Sequence, residues 1–198
     1  MEELNNALFM FINAPAQPNG ALLFIAKFLA EQTIWFVPFV LVVGWLMGRK
    51  PSRKILFGAA LAGLLGLLLS QIMGLLWPHP RPFMIGVGHT FIEHVADSSF
   101  PSDHLTLMWA VSLSFLPYSV TRFGGAMLTL LALPVAWARI YIGVHYPFDM
   151  IGALIVASFS AWFIFWSKHW LSKPVFRAAY ALFTRLFAPL IRRGWISR

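Results

Sequence analysis

The sequence predicts an all-α integral membrane protein, a bundle of about five transmembrane helices. Apolar residues make up 59% of its 198 residues and charged residues only 11%, whereas a soluble domain has roughly 25% charged residues. So little charge cannot cover a surface that faces water, which makes lipid the expected solvent. Five stretches are apolar and long enough to cross a bilayer: residues 21–47, 55–77, 105–120, 124–142 and 148–166.

The two ends of the chain are apolar segments that are not predicted to cross. Residues 4–14 are too few for a span, and we expect a short helix that lies in the interface or re-enters the bundle. Residues 174–195 contain internal arginines and Pro189, which favours a basic amphipathic helix on the inner leaflet over a sixth span. The chain is thus divided into a membrane-embedded domain, 1–170, and a basic cytoplasmic tail, 171–198.

Basic residues are concentrated at one end of the predicted bundle. They lie between spans one and two, between spans three and four, and after span five: Arg49, Lys50, Arg53, Lys54, Arg122, Lys168, Lys173, Arg177, Arg185, Arg192, Arg193 and Arg198. The positive-inside rule places these segments in the cytoplasm. The loops 77–103 and 143–147 are then expected at the opposite, extracytoplasmic face.

Composition also excludes several classes of function. The chain has no cysteine, which excludes a disulfide framework, a thiol nucleophile and a thiolate metal site. Its net charge of +8 is typical, in a membrane protein, of cytoplasmic loops that contact anionic lipid. We therefore expect membrane lipids as partners and no nucleic acid. The sequence identifies no protein partner.

Three short segments carry the polar residues that point to chemistry. They are residues 77–83 at the end of span two, 99–104 at the start of span three, and 138–149 between spans four and five. Alternating crossings bring all three to the same membrane face. We therefore expect them to form one site.

Two arginines and a serine in these segments are suited to binding phosphate. Arg81 and Arg139 are permanently charged forks whose N–H groups match phosphate oxygens. Ser102 is placed to cap the third span, where free helix N–H groups favour an anion. These residue types predict a phosphate-binding site that uses arginines in place of magnesium, with no metal ion and no cofactor.

Two histidines in the same segments, His104 and His145, supply reactive groups. One imidazole can attack phosphorus and the other can protonate the leaving oxygen. Asp149 follows His145 by four residues, so on a helical turn its carboxylate can orient that imidazole and stabilise its charged form. The pattern predicts phosphoryl transfer.

As a set, these motifs resemble the three signatures of the type-2 phosphatidic acid phosphatase superfamily. The matching motifs are Arg81-Pro82, the Pro-Ser-Asp-His at 101–104, and Arg139-x5-His145-x3-Asp149. The resemblance implies that His145 is a nucleophile forming a phosphohistidine, that Asp149 is its partner, and that His104 is the general acid. It also implies which residues hold the phosphate: Arg81, Ser102 and Arg139.

Within that superfamily, residues 78–83 and 99–104 look like those of bacterial undecaprenyl-diphosphatases of the bacitracin-resistance type. The resemblance implies hydrolysis of undecaprenyl pyrophosphate to undecaprenyl phosphate and phosphate at the outer face of the bacterial cytoplasmic membrane, which recycles the cell-wall lipid carrier. Alternatives are a phosphatase for another lipid phosphate (phosphatidylglycerophosphate, phosphatidic acid or lipid A) and a lipid phosphotransferase. A lipid phosphate transporter is disfavoured because the ionisable groups cluster at one face and not at mid-membrane.

Three departures from the superfamily signatures bear on the site. In the third signature, Ala138 stands before Arg139 where serine is usual. Gly74 stands where the first signature has a lysine. Lys27, near the outer end of the first span, is a candidate to replace that cation; the alternative is an ion pair with Glu31, four residues later. Asp103 stands where glycine is usual, and it either tunes the acidity of His104 or favours a pyrophosphate that carries a bound cation. Two acidic residues of the outer loop are further candidates to support the phosphate-binding residues or to hold a cation: Glu93 and Asp97.

Overall fold

The computed structural model describes residues 1–169 and 172–196 and builds them from α-helices and short 3₁₀ turns. The helices are α1 (Glu2–Ile12), α2 (Gly20–Glu31), α3 (Phe36–Met47), α4 (Lys50–Leu76), α5 (Asp103–Phe115), α6 (Ser119–Tyr141), α7 (Pro147–Trp166), α8 (Ser172–Leu186) and α9 (Ala188–Arg192). The turns are Thr33–Trp35, Pro82–Ile85 and Ser167–His169. The predicted all-α fold class is confirmed.

Four helical segments within the described residues are long and apolar enough to cross a membrane: Gly20–Met47, Lys50–Leu76, Ser119–Tyr141 and Pro147–Trp166. They correspond to the first, second, fourth and fifth predicted spans. Large apolar side chains on them face outward; Leu75, for example, is 82% exposed and Phe39 is 62% exposed. Such surfaces are stable in contact with lipid and not with water. The chain is a multi-pass membrane protein.

The third predicted span, 105–120, is shorter in the structure. It forms α5, whose 13 residues give a length of about 20 Å, less than the roughly 30 Å of a hydrocarbon core. α5 is enclosed by α4, α6 and α7. Gln71 Nε2 of α4 donates to Asp103 Oδ2, in the first turn of α5, at 2.8 Å. α5 therefore begins beside Gln71, more than one turn below the end of α4 at Leu76. The loop before α5 therefore descends into the bundle and shortens the helix.

Small residues on α4 allow α5 to approach closely. A Cβ atom at Gly63 would lie 2.7 Å from Leu107 Cδ1, and one at Gly66 would lie 2.9 Å from Thr106 Cγ2. Helices with glycine at the contact pack with their backbones close together. On the same face of α4, Ser70 Oγ donates to Thr106 Oγ1 at 3.2 Å. These contacts set the height of α5 and hence of the polar residues that begin it.

The predicted short N-terminal helix is present as α1, and it packs against α6 and α7. Phe9 is fully buried, with its ring centroid 5.2 Å from that of Tyr146. Asn5 Oδ1 accepts from the backbone N–H of Phe148 at 3.0 Å, which satisfies one of the free donors at the start of α7. α1 therefore supports the loop between α6 and α7.

The tail after span five forms two helices, α8 and α9, where a single amphipathic helix was expected. Pro189 lies in the first turn of α9, where its missing N–H and fixed φ are tolerated, while continuing α8 through it would break the helix. Phe176 and Phe183 of α8 are buried against Trp45 of α3, at ring distances of 6.1 and 5.6 Å. The predicted boundary at 170/171 and Arg198 lie outside the described residues.

Candidate active site

The site residues come from three separate segments of the chain. Arg81 precedes the 3₁₀ turn after α4, and Ser102 precedes α5. Arg139 lies in the last turn of α6, His145 in the loop that follows, and Asp149 in the first turn of α7. All five are buried. Because the helices alternate in direction, these ends meet at one end of the bundle.

His145 is held between the two arginines and the aspartate. Its Nε2 lies 3.0 Å from Arg81 Nη1 and 3.3 Å from Arg139 Nη2, and its Nδ1 lies 3.1 Å from Asp149 Oδ2. A guanidinium group only donates hydrogen bonds, so Nε2 must be the acceptor and the ring hydrogen must be on Nδ1. The imidazole is therefore neutral, with the Nε2 lone pair directed at the space that the arginines line. A neutral nitrogen in this position can act as a nucleophile.

Burial lowers the pKa of His145 well below its ordinary value, and the positive charges of Arg139 and Arg81 lower it further. Both effects disfavour the imidazolium form. Since a lowered pKa keeps a histidine neutral as the pH falls, the nucleophilic form of His145 persists into acidic solution.

We expect His145 to remain neutral at a pH of about 5.5, below the usual histidine pKa of about 6.5. ¹⁵N NMR of imidazole-labelled protein in detergent should show a protonated Nδ1 and a bare Nε2. The signal is assigned by its loss in the His145→Gln variant. A doubly protonated ring at that pH would contradict the proposed arrangement.

Asp149 is fixed by three donors to one carboxylate oxygen. Its Oδ2 accepts from His145 Nδ1, from the backbone N–H of Tyr146 at 2.8 Å, and from Ser99 Oγ. Ser99 is fully buried, and sequence reasoning gave it no role. The only feature of the sequence that could have indicated a role for Ser99 is its position two residues before the Pro-Ser-Asp-His motif. These bonds hold the carboxylate where it can orient the imidazole.

We expect Ser99→Ala to lower kcat by about 10- to 100-fold, because hydrogen bonds to charged groups contribute about 1.5–3 kcal/mol. The loss should fall on kcat and not on KM, since Ser99 contacts Asp149 and no predicted phosphate ligand. Steady-state kinetics with Ser114→Ala as control tests this, because Ser114 donates only to a carbonyl within its own helix. An unchanged kcat would show that the Ser99 bond is irrelevant to catalysis.

Three buried polar atoms of the site residues have no protein partner within the described residues: the donors Ser102 Oγ and Arg139 Nε, and the acceptor Asp149 Oδ1. Ser102 is the N-cap residue of α5, as expected, but its hydroxyl makes no capping hydrogen bond. Arg139 donates through Nη1 to the carbonyl oxygen of Ala30 at 3.3 Å. Buried donors without acceptors are unfavourable, and a phosphate oxygen would satisfy both.

Arg81 is oriented by hydrogen bonds from all three of its guanidinium nitrogens. Its Nε donates to Asp97 Oδ1 at 2.8 Å, Nη1 to the carbonyl of Val144 at 3.0 Å, and Nη2 to the carbonyl of Ser98 at 3.3 Å. The structure thus brings Asp97 to the site through Arg81. Glu93 is exposed and makes no hydrogen bond or ion pair in the described part of the chain.

His104 and Asp103 begin α5 beside the arginines. His104 lies close enough to Arg139 and Arg81 for their charges to act on it, and it forms no hydrogen bond with any other described residue. Its imidazole is therefore available to a bound substrate. Asp103 accepts from Gln71 on α4, so its carboxylate helps to place the start of α5.

Lys27, on α2, makes no hydrogen bond or ion pair within residues 1–169 and 172–196. Its neighbour along the helix, Glu31, is close enough to Arg139 to act on it electrostatically, and Ala30 supplies the carbonyl that Arg139 binds. The end of α2 therefore reaches the site, while the role of Lys27 as a replacement cation stays a prediction.

His94 is a further site residue that the sequence did not indicate. Its Nε2 lies 3.1 Å from Arg139 Nη2 and its Nδ1 lies 3.0 Å from the carbonyl of Val95. By the same donor argument, Nε2 accepts and Nδ1 carries the hydrogen. Burial lowers the pKa of His94, and nearby Arg81 and Arg139 act in the same direction. No motif distinguishes it from the other polar residues of the outer loop.

Comparison with known proteins gives a consistent result. The profile of the PAP2 superfamily matches residues 53–173. YbjG of Escherichia coli (strain K12) is 37% identical over 99% of this chain and 98% of its own length. Undecaprenyl-diphosphatase BcrC of Bacillus subtilis (strain 168) is 36% identical over 78% of this chain and 79% of its own length.

Solved structures show the same fold. The crystal structure of Aquifex aeolicus LpxE has a TM-score of 0.68 at 22% identity, and it covers 82% of this chain and 94% of its own. A transmembrane PAP2-type phosphatidylglycerolphosphate phosphatase from Bacillus subtilis has a TM-score of 0.58 at 14% identity, covering 82% of this chain and 83% of its own. The matched segment 53–173 contains the two arginines, Ser102, both predicted reactive histidines and Asp149.

Proposed function

This chain belongs to the PAP2 superfamily, and from this membership we propose that it hydrolyses undecaprenyl diphosphate to undecaprenyl phosphate and inorganic phosphate. The observation that carries the chemistry is the neutral His145, whose bare Nε2 faces the guanidinium groups of Arg81 and Arg139. The relative named undecaprenyl-diphosphatase supports the substrate.

In the first step, the terminal phosphate enters between the arginines and accepts hydrogen bonds from them and from Ser102. His145 Nε2 attacks the terminal phosphorus, and the bond from that phosphorus to the bridging oxygen breaks. The electron pair of the broken bond stays on the bridging oxygen, which takes a proton from the imidazolium form of His104, and the negative charge of the bound diphosphate stabilises that form. Undecaprenyl phosphate leaves, and the arginines stabilise charge on the transferred group.

In the second step, a water molecule attacks the phosphorus of the phosphohistidine. His104, now neutral, takes a proton from that water. The P–N bond breaks, its electron pair returns to Nε2, and phosphate is released. Asp149 holds the Nδ1–H throughout and stabilises the positive charge of the phosphorylated ring.

Inhibitors should distinguish this mechanism from metal-dependent hydrolysis. We expect micromolar vanadate to inhibit, because vanadium bound to His145 mimics a five-coordinate transition state, and such mimics bind tightly. EDTA should leave activity intact, since arginines supply the positive charge. Phosphate-release assays in detergent check both. Reversible loss of activity with EDTA, or full activity in vanadate, would contradict the mechanism.

We place the site at the outer face of the bacterial cytoplasmic membrane, where the product becomes available for reuse as the cell-wall lipid carrier. The support is the charge distribution: Arg49, Lys50, Lys54 and Arg122 lie at the ends of helices opposite to the site, and basic loops stay in the cytoplasm. On this orientation residues 1–170 form the membrane-embedded phosphatase domain and 171–198 its cytoplasmic tail.

A lipid A phosphate is the second candidate substrate, since a lipid A 1-phosphatase of Rhizobium johnstonii is 31% identical over 62% of this chain. Phosphate release should be compared for undecaprenyl diphosphate, lipid A, phosphatidylglycerophosphate and phosphatidic acid in one detergent. We expect the highest kcat/KM for undecaprenyl diphosphate. Preference for another of these lipids would change the assigned substrate but would leave the proposed mechanism unchanged. Release only in the presence of a second lipid acceptor would indicate a phosphotransferase.

A further inference from the structure

A cavity of about 700 Å³ lies at the end of the bundle opposite to the active site. It is enclosed by the start of α4, the turn between α5 and α6, the residues after α7, and α8. Its charged lining residues are all cations: Lys50, Lys54, Lys168, Lys173 and Arg177. None of the chain's seven acidic residues lines it. The cavity is therefore a strongly positive environment.

A narrower cavity of about 370 Å³ continues from the first one. The two share Lys54, Ile55, Tyr118 and Lys168 in their walls. The second runs along α4 towards the bundle interior, between α5 and α7, with an apolar lining that includes Gly58 and Trp162. Together they form a groove with a cationic mouth and an apolar trough.

The wall that α8 contributes is firmly packed. Phe176 lines the cavity and is also buried against Trp45 and Phe57, at ring distances of 6.1 and 5.7 Å. Arg53 is fully buried, donates through Nε to the carbonyl of Trp45 at 2.7 Å, and lies 4.6 Å from the ring of Phe183. These contacts fix α8 against α3 and α4, so the groove is a built feature of the fold.

We infer that this groove binds one anionic phospholipid from the leaflet opposite to the active site. Its phosphate lies between Lys54 and Lys168, and one acyl chain lies in the apolar trough. Each of the two cavities has a volume within the roughly 300–1,000 Å³ of small-molecule sites, and clustered lysines and arginines attract anionic head groups. The site is separate from the phosphatase chemistry and does not depend on the proposed substrate.

Native mass spectrometry of the detergent-purified protein tests this inference. The protein is titrated with phosphatidylglycerol and with phosphatidylcholine of the same acyl chains. We expect one phosphatidylglycerol per chain, bound at least about tenfold more tightly than phosphatidylcholine. Equal affinity for the two lipids, or no bound phosphatidylglycerol, would overturn the inference.

Removal of charge tests the head-group end of the groove. Lys54→Gln with Lys168→Gln should weaken phosphatidylglycerol binding by about thirtyfold, from the contribution of two cations near a lipid phosphate. The matched control is Arg185→Gln with Arg192→Gln, which removes two charges from the same end of the molecule but not from the groove. An equal loss in both double variants would show a general surface effect and contradict a defined site.

Filling the trough tests the acyl-chain end. A Cβ atom at Gly58 would lie 3.9 Å from its nearest neighbouring atom, Ile164 Cγ2, so a side chain fits there without forcing α4 to move. Gly58→Leu should therefore fold, as judged by size-exclusion chromatography, and still weaken phosphatidylglycerol binding. Gly124→Leu, at an open position outside the groove, should bind like the wild type. Undiminished binding by Gly58→Leu would contradict an acyl chain in the trough.

Discussion

Replacing His145 with glutamine is expected to lower kcat for phosphate release by about 10⁴-fold or more, the usual effect of removing a nucleophile. Glutamine cannot form the phosphorylated intermediate. Its amide oxygen can still accept hydrogen bonds from Arg81 and Arg139, so the buried arginines keep a partner and the fold should survive. Phosphate release in detergent measures the effect.

His89→Gln is the matched control for that variant. His89 lies in the same outer loop region but is exposed, and its contacts to Asn13 run through its backbone. It should retain wild-type kcat. Removal of a nucleophile lowers the rate far more than about tenfold. If His145→Gln kept more than about a tenth of the wild-type rate, His145 would not be the attacking group.

Replacing Arg139 with lysine should lower kcat/KM by about 10²–10³-fold, the range seen when one donor to a transition-state oxyanion is removed. Lysine keeps the charge but not the planar fork. The variant removes the present donors to the carbonyl of Ala30 and to His94 Nε2, and one of the two donors to His145 Nε2. Steady-state kinetics on undecaprenyl diphosphate measures the loss.

Arg122→Lys serves as the control for the arginine variant. Arg122 is exposed at the opposite end of the bundle, where its Nε donates to the carbonyl of Leu116. The kcat/KM of Arg122→Lys should match that of the wild type. If Arg139→Lys were also unchanged, charge alone would be sufficient at this position and the forked contact to phosphate would be refuted.

The positions of the site residues that lie at helix ends could be predicted from the sequence. The length of the apolar stretches predicted the four spans that the structure contains within its described residues. Because successive helices alternate in direction, Arg81, Ser102 and His145 could be expected at one face. The four-residue spacing of His145 and Asp149 was enough to expect contact, because a loop and the first helical turn separate them. Each of these inferences needs only local sequence and topology.

Tertiary contacts decided what the sequence did not indicate. The short length of α5 follows from the Gln71–Asp103 bond and from glycines on α4, neither of which has a periodic signature. Ser99 and His94 reach the site because the outer loop folds down into the bundle. The hydroxyl of Ser102 was expected to cap α5, but the structure leaves it without a described partner and thus available to an anion.

Rapid-quench labelling shows whether His145 carries the phosphoryl group during turnover. The protein is mixed with undecaprenyl diphosphate labelled with ³²P in the terminal phosphate, quenched within a single turnover, and digested for peptide mapping. We expect a phosphoryl group that is labile in acid, stable in base and located on His145, and none in the His145→Gln variant. Phosphate release by the wild type without any labelled enzyme, or a label on another residue, would contradict the proposed mechanism.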